Sequence, residues 1–146
     1  HKAFFHALKQ NGLKSDPTYA GSSYYITQCM EKHLPRLLDL GITSIVCSHD
    51  LIANAAMIQC QQLGYKVPDE ISIIGFDDLP ICAYTSPPLT TIRQERIQLG
   101  KSAYYALDSL MNQVSIGTLL LHAKLIERGS TGKVPQTNNN IKRTGD

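Results

Sequence analysis

The sequence lacks the short motifs on which the common enzyme classes depend. It contains no G-x-G-x-x-G after a strand-like segment, no G-x-x-x-x-G-K-[ST] phosphate loop, no G-x-S-x-G nucleophile elbow and no H-E-x-x-H zinc motif. No two of His6, His33 and His122 have the spacing of a metal site. These absences argue against an enzyme, and they predict neither a cofactor nor a bound metal.

Long apolar runs and a strong net charge are absent as well. No stretch approaches the roughly 18 apolar residues of a membrane span, and no basic segment precedes an apolar one as in a signal peptide. The net charge is +2 over 146 residues, too dilute for a nucleic-acid-binding surface. We therefore expect these residues not to read DNA. Because the chain begins with His1 and not Met, we also expect a fragment of a longer protein.

The cysteines show no ligand spacing. The four cysteines lie among apolar neighbours, and no two form a C-x-x-C pair; they are Cys29, Cys47, Cys60 and Cys82. This pattern is typical of reduced, buried thiols and indicates a cytoplasmic protein. The length matches one globular domain, for which about 100–200 residues is usual.

A strand, a cap, a helix and a glycine stop follow one another in the middle of the chain. Residues 44–47 are short, apolar and β-branched, and Ser48-His49-Asp50 resembles a helix N-terminus. Apolar residues at helical spacing fill 51–63, and Gly64 ends the segment. After a turn at 67–70, residues 71–75 read as a strand that is buried on both faces.

The same alternation extends in both directions. The patterns predict helices over 2–11, 24–40 and 95–112, and strands over 18–21, 89–93 and 119–126. Pro35 is expected to kink or divide the second of these helices. From Gly129 onward the composition predicts a largely mobile tail. Strands that alternate with helices predict a parallel sheet in an α/β fold.

Ligands of such sheets bind beyond the carboxyl ends of the strands. Here those ends carry hydroxyls, aromatics, an imidazole, carboxylates, a guanidinium and an amide, at Ser22 to Tyr24, His49 and Asp50, Asp77 and Asp78, and Arg93 and Gln94. Such a set suits hydrogen bonding to a small polar or polyhydroxyl ligand.

Each of these residues also has a structural interpretation. We expect Asp50 to cap its own helix, and Asp78 to be a solvated or turn-forming neighbour of the ligand residue Asp77. His49 either faces the ligand or caps the helix. Arg93 either contacts the ligand or pairs with an acid.

Four segments resemble the C-terminal half of the lactose-repressor/galactose-repressor (LacI/GalR) family of bacterial transcription regulators. They occur in the order and spacing of that family, at Ile45–Ala53, Gly64–Asp78, Pro87–Gln94 and Leu125–Thr131. The resemblance implies a periplasmic-binding-protein-like (type I) fold, a parallel sheet with helices on both faces, present here as a partial fold. It also implies an N-terminal helix-turn-helix that this chain does not contain.

The resemblance implies a division of the chain as well. Residues 1–92 and 123–131 correspond to the C-terminal subdomain of the effector-binding core, and 93–122 to a returning segment of the N-terminal subdomain. Residues 132–146 would be a mobile tail. The apolar stripe of the helix over 95–112 would then lack its natural cover, and we expect another chain, a swapped segment or residues outside this chain to satisfy it.

Family contacts carry over to individual positions. Asp77 matches the aspartate of the family's G-[FY]-D motif, which hydrogen-bonds ligand hydroxyls, and His49 matches a polar contact position. Gln94 and Arg96 match contacts after the Pro-Pro-Leu-Thr-Thr strand. Ser23 or Tyr24 falls where relatives often present an aromatic residue. Together with Arg93, these residues form the predicted effector site.

The resemblance predicts a homodimeric repressor that binds a sugar or sugar phosphate and reaches operator DNA only through the N-terminal headpiece. Two alternatives remain open. One is a periplasmic-type sugar-binding protein of a transporter, which shares the fold. The other is a sugar-processing enzyme, which the missing motifs disfavour.

Overall fold

The computed structural model describes residues 2–13, 15–23 and 25–135. Within them the chain forms two compact units, one from His1 to Thr43 and the other from Ser44 onward.

The first unit contains two helices joined by an irregular segment. Helix α1 spans Lys2–Gln10 and helix α2 spans Ile26–Asp39, with a short 3-10 helix at Pro17–Tyr19 between them. Gly12 and Gly41 follow the helices with φ of 69° and 71°, a conformation that favours glycine, so the helices end where the predicted ranges 2–11 and 24–40 place them, within two residues. Pro35 lies inside α2 without dividing it, flanked by the buried Leu34 and Leu38.

The strand predicted over 18–21 is wrong. Asp16 caps the 3-10 helix by accepting a hydrogen bond from the Thr18 amide at 2.9 Å. The guanidinium of Arg36 donates to the carbonyls of Thr18 at 2.6 Å and Ala20 at 3.1 Å. Side chains of this unit therefore form hydrogen bonds with backbone groups that a neighbouring strand would otherwise satisfy.

The second unit is built on a four-stranded mixed sheet in the order β1-β2-β3-β4. Strands β1, β2 and β3 are parallel, and β4 is antiparallel to β3. The strands are β1 Ser44–Val46, β2 Ser72–Phe76, β3 Thr90–Arg93 and β4 Lys124–Ile126, and the helices are α3 Asp50–Gln62 and α4 Arg96–Met111, with a 3-10 helix at Pro80–Ala83. The predicted helices and the strands at 44, 71 and 89 are thus confirmed within two residues at their ends.

The core of this unit lies between α3 and β2. One side of α3 buries four small or flexible side chains, Ala53, Ala56, Met57 and Cys60. Ile71, Ile73 and Leu89 are buried as well. This is the α/β packing that the sequence predicted, and all four cysteines of the chain are buried as expected.

The last strand is shorter than the predicted 119–126. Its register pairs Arg93 with Lys124 and Thr91 with Ile126. Because β3 ends at Arg93, residues before Lys124 have no strand residue opposite them. The apolar pattern of 119–123 therefore does not form a strand.

Residues 129–132, predicted to be mobile, are held in the sheet. Ser130 is buried, and its hydroxyl donates to the Ile73 carbonyl at 2.6 Å and accepts from the Thr90 amide at 2.8 Å. The Gly132 amide donates to the Ser72 hydroxyl at 3.1 Å. Ser130 thus bridges β2 and β3, contrary to the composition-based expectation. Most of the predicted tail, residues 136–146, lies outside the described residues.

Helix α4 contributes nothing to the described core, since it has no buried residue. Its large apolar side chains are between half and four-fifths exposed; they are Ile97, Leu99, Tyr104, Tyr105, Leu107, Leu110 and Met111. Among the described residues, it is α3 that packs against β2 and covers the sheet there. Within the described ranges, neither α4 nor any other helix is long and apolar enough to cross a membrane.

A buried carboxyl group joins α3 to the rest of the unit. Asp50 does not cap its helix as predicted; His49 is the N-cap, and its ring nitrogen accepts from the Ile52 amide at 3.4 Å. Asp50 is fully buried and accepts from the Thr91 hydroxyl at 2.5 Å and the Leu79 amide at 2.7 Å. Gly75 lies directly against it, because a Cβ there would collide with the Asp50 carboxyl and approach Leu89 Cδ2 to 3.2 Å.

We expect Gly75→Ala to lower the free energy of unfolding by about 1–3 kcal/mol, since the methyl group overpacks a filled space and displaces the Asp50 carboxyl. Urea denaturation measures this effect. Gly100→Ala is the matched control: Gly100 lies in α4 with no atom within 4 Å of its Cβ position, so alanine there does not lower stability. Equal stability of wild type and Gly75→Ala would contradict the packing described.

Candidate functional site

The loop after β2 has an unusual backbone conformation. Asp77 and Asp78 have φ of 108° and 52°, in the left-handed region that favours glycine. The Asp77 amide donates to the Ile92 carbonyl of β3 at 2.8 Å. This conformation places two consecutive carboxylates at the carboxyl ends of β2 and β3, where parallel sheets present their ligand sites.

Asp77 and Gln94, both predicted site residues, lie together. The Gln94 side-chain amide donates to Asp77 Oδ1 at 2.9 Å, and both residues are partly exposed. Asp77 follows β2 and Gln94 follows β3, so parallel pairing of the two strands explains their proximity. The Asp77 carboxylate keeps acceptor capacity for further donors.

Of the two alternatives predicted for Asp78, solvated or turn-forming, the structure shows the second. Its side chain is only 8% exposed and accepts from Arg93 Nε at 2.6 Å and from an Arg128 terminal nitrogen at 2.7 Å. Burial raises the pKa of Asp78, but hydrogen bonds and charges from Arg128 and Arg93 outweigh it and hold the pKa below its ordinary 3.8. The pairing satisfies a carboxylate that the loop conformation turns inward.

Of the two roles predicted for Arg93, contact with the ligand or pairing with an acid, the structure shows the pairing. Its side chain remains 46% exposed, and its role as an effector contact stays a prediction. Arg96, the first residue of α4, is exposed, and its amide donates to the Gln94 carbonyl at 2.8 Å. It follows Gln94 at the same end of β3.

His49 shows the capping alternative, with its ring partly exposed at the start of α3. Ser23 belongs to the first unit, where its hydroxyl donates to the Gln28 side-chain oxygen at 3.3 Å. It lines a shallow depression with Ser22, Gln28, Glu31 and Lys32. Tyr24 lies outside the described residues. Ser23 does not follow a strand, because the strand predicted before it is not formed.

The sequence interpretation missed the role of Arg128. This residue follows β4, and besides Asp78 it donates to the Leu89 carbonyl at 2.8 Å. Lys124 also pairs with Glu95 across the β3–β4 end, at 3.0 Å. The antiparallel return of β4 brings Arg128 to the loop, and the family-like segment at 125–131 was the signal in the sequence that pointed to it.

Two buried thiols of this unit, Cys82 and Cys60, are poor nucleophiles. Burial, with a smaller contribution from a hydrogen bond to Asp50, raises the pKa of Cys82 to about 12. Burial raises the pKa of Cys60 to about 11. At neutral pH both remain protonated. No group of three or more metal-ligating side chains occurs in the part of the chain that the structure describes.

We expect the ion pairs of Asp78 with Arg93 and Arg128 to make the protein less stable as the pH falls into the acid range. Because the folded pKa is lowered, their contribution is complete above about pH 4 and is lost as the pH falls through the folded pKa. Asp78→Asn should lower the free energy of unfolding by about 2 kcal/mol at pH 7, which is the contribution of a hydrogen bond to a charged group. The loss should be smaller at about pH 2–3, where Asp78 of the wild type becomes protonated. Urea denaturation at both pH values measures this.

Asp69→Asn, at an exposed turn position, is the control and should follow wild type at each pH. An equal loss of stability in Asp78→Asn at pH 7 and in strong acid would contradict the charge-based explanation.

The fold and these residues match known proteins. The family model of the periplasmic binding protein-like domain matches residues 1–131. The chain is 36% identical over 138 residues to the HTH-type transcriptional repressor CytR of Escherichia coli strain K12, covering 92% of this chain and 40% of the repressor. It therefore spans less than half the length of this relative.

Solved structures agree with this match. The transcription regulator CcpA of Lactococcus lactis is 31% identical with a TM-score of 0.77, covering 88% of this chain and 48% of that one. A sugar-binding transcriptional regulator of the LacI family from Escherichia coli, complexed with phosphate, is 26% identical with a TM-score of 0.73, covering 86% and 46%. The chain thus belongs to the periplasmic binding protein-like domain family and matches the C-terminal part of LacI-type transcription regulators.

Proposed function

We propose that this chain is the effector-binding and dimerisation part of a bacterial LacI-type transcriptional repressor, and not an enzyme. The observation that carries the proposal is the Asp77–Gln94 pair at the carboxyl ends of β2 and β3. The similarity to regulators favours this function over a transporter's sugar-binding protein. We place the whole protein in the cytoplasm, where such repressors reach DNA.

The effector is a hydroxyl-rich small molecule of the sugar class. A carboxylate accepts two hydroxyl donors at once, and a neighbouring amide both donates and accepts. The Gln94 amide already occupies one position on Asp77 Oδ1, which leaves the remaining carboxylate positions to the effector. The related regulator described as sugar-binding supports this class.

Regulation follows from a difference in effector affinity between two arrangements of the regulator. An effector that binds one arrangement more tightly shifts the population toward it, and the coupling in such systems is commonly about 1–3 kcal/mol. Operator DNA would be bound by a helix-turn-helix headpiece, as the name of the related HTH-type repressor indicates. The net charge of +2 agrees with a chain that does not read DNA itself.

Asp77→Ala in the intact repressor should weaken sugar binding by about 10-fold to 100-fold, since hydrogen bonds to a charged group contribute about 1.5–3 kcal/mol. Operator affinity without effector should stay unchanged. Calorimetric titration with a panel of neutral mono- and disaccharides and their phosphates measures the first quantity, and a gel-shift assay measures the second. Asp69→Asn serves as the control. Wild-type affinity in Asp77→Ala would remove Asp77 from the site.

Self-association is the second part of the proposal. Helix α4 exposes seven large apolar side chains and buries none, and an exposed apolar surface of this size is typical of a contact site. In the whole protein, a second chain or residues outside this 146-residue sequence would cover this surface.

We therefore expect the isolated chain to self-associate through α4. The double variant Leu107→Ser/Leu110→Ser should shift it toward monomer in sedimentation experiments, whereas Lys101→Ser on the same helix should not. A stable monomer of the unaltered chain, with α4 packed on its own sheet, would contradict this expectation.

A further inference from the structure

Asp77 and Asp78, in the loop after β2, form a turn whose backbone conformation is energetically unfavourable. Contacts with other groups must therefore stabilise this turn. Non-glycine residues in sparsely populated backbone regions are energetically unfavourable and persist only when their surroundings impose the conformation. Two such residues follow one another here, with φ of 108° and 52°. One of them, Asp77, is the proposed effector contact.

Three successive residues of this turn are held by three different parts of the second unit. The Asp77 amide bonds to Ile92 of β3, and the Leu79 amide donates to the buried Asp50 of α3. Between them, Asp78 is held by its two carboxylate oxygens, one on Arg93 and the other on Arg128. The two arginines fix the middle of the turn.

The arginines also connect the turn to the two ends of the segment that contains α4. Arg93 is the last residue of β3, directly before the chain enters α4, and Arg128 follows β4, where the chain has returned to the sheet. Next to the Asp78–Arg93 pair lies the Asp77–Gln94 pair. Two consecutive residues of the turn therefore bind two consecutive residues at the end of β3.

We propose that Asp78 is a positioning residue of the effector site: by binding Arg93 and Arg128, it holds the turn in its left-handed conformation and so preorganises the Asp77 carboxylate for the effector. This inference rests on the proposed function. When the Asp78 pairs are lost, the turn relaxes and only a fraction of the molecules present Asp77 correctly. The apparent dissociation constant rises by the inverse of that fraction.

The choice of variants separates charge from backbone preference. Asp78→Asn keeps a side chain that tolerates positive φ but loses the charge, whereas Asp78→Ala loses both. Arg93→Gln is a milder variant, because Arg93 is half exposed. Ser130→Ala is the structural control, since it removes buried hydrogen bonds between β2 and β3 without touching the turn.

The test has two measurements on the intact protein. Amide hydrogen exchange at Asp77, Asp78 and Leu79 should become at least about tenfold faster in Asp78→Asn and Asp78→Ala, and less so in Arg93→Gln. Ser130→Ala should leave the ratio of their exchange rates to that of Gly75 in β2 unchanged. Calorimetric titration with the tightest-binding neutral sugar of the panel should show about tenfold weaker binding in both Asp78 variants and wild-type affinity in Ser130→Ala.

The outcomes test three claims separately: that Asp78 stabilises the turn, that it positions Asp77, and that the effector is a sugar. Unchanged exchange at the turn relative to the sheet reference Gly75 in Asp78→Asn, or the same relative change in Ser130→Ala, overturns the claim that Asp78 holds it. Faster exchange with wild-type sugar affinity overturns the positioning role. If wild type binds no sugar of the panel, the proposed effector class fails, and the exchange rates alone still decide whether Asp78 holds the turn.

Discussion

The second unit depends on the buried carboxyl group of Asp50. A buried polar group of this kind is costly unless it is hydrogen-bonded, and here the Thr91 hydroxyl and the Leu79 amide satisfy it. These bonds connect the start of α3 to β3 and to the loop after β2. The carboxyl also requires a residue without a side chain at Gly75. One group thus aligns the three elements that carry the proposed site.

The loop beside this group combines an anchored backbone with an available carboxylate. Asp78 turns inward to two arginines, while Asp77 remains partly exposed beside Gln94. Two adjacent aspartates therefore have different environments and different roles: one holds the turn and the other is offered to a ligand. Rigid support of a contact residue lowers the entropy that binding must overcome, which is the physical basis of preorganisation.

Much of this arrangement could be predicted from the sequence. The helical period of 51–63, the stop at Gly64 and the apolar run before Asp77 indicated α3 and β2, and strand pairing then placed Asp77 near Gln94. The assignment of Asp50 as a cap was wrong because local sequence does not reveal a bond to Thr91, 41 residues away. The same limit applies to Ser130, whose polar neighbours suggested mobility although β2 and β3 bind it.

The sequence by itself determined the periodic elements, the burial of the cysteines and the family resemblance, because these follow from residue order and local preference. Only the tertiary structure decided which carboxylates are buried and which arginines neutralise Asp78. The physical reason is that desolvation and ion pairing depend on partners brought together by sheet pairing. A pattern of neighbouring residues contains no information about those partners.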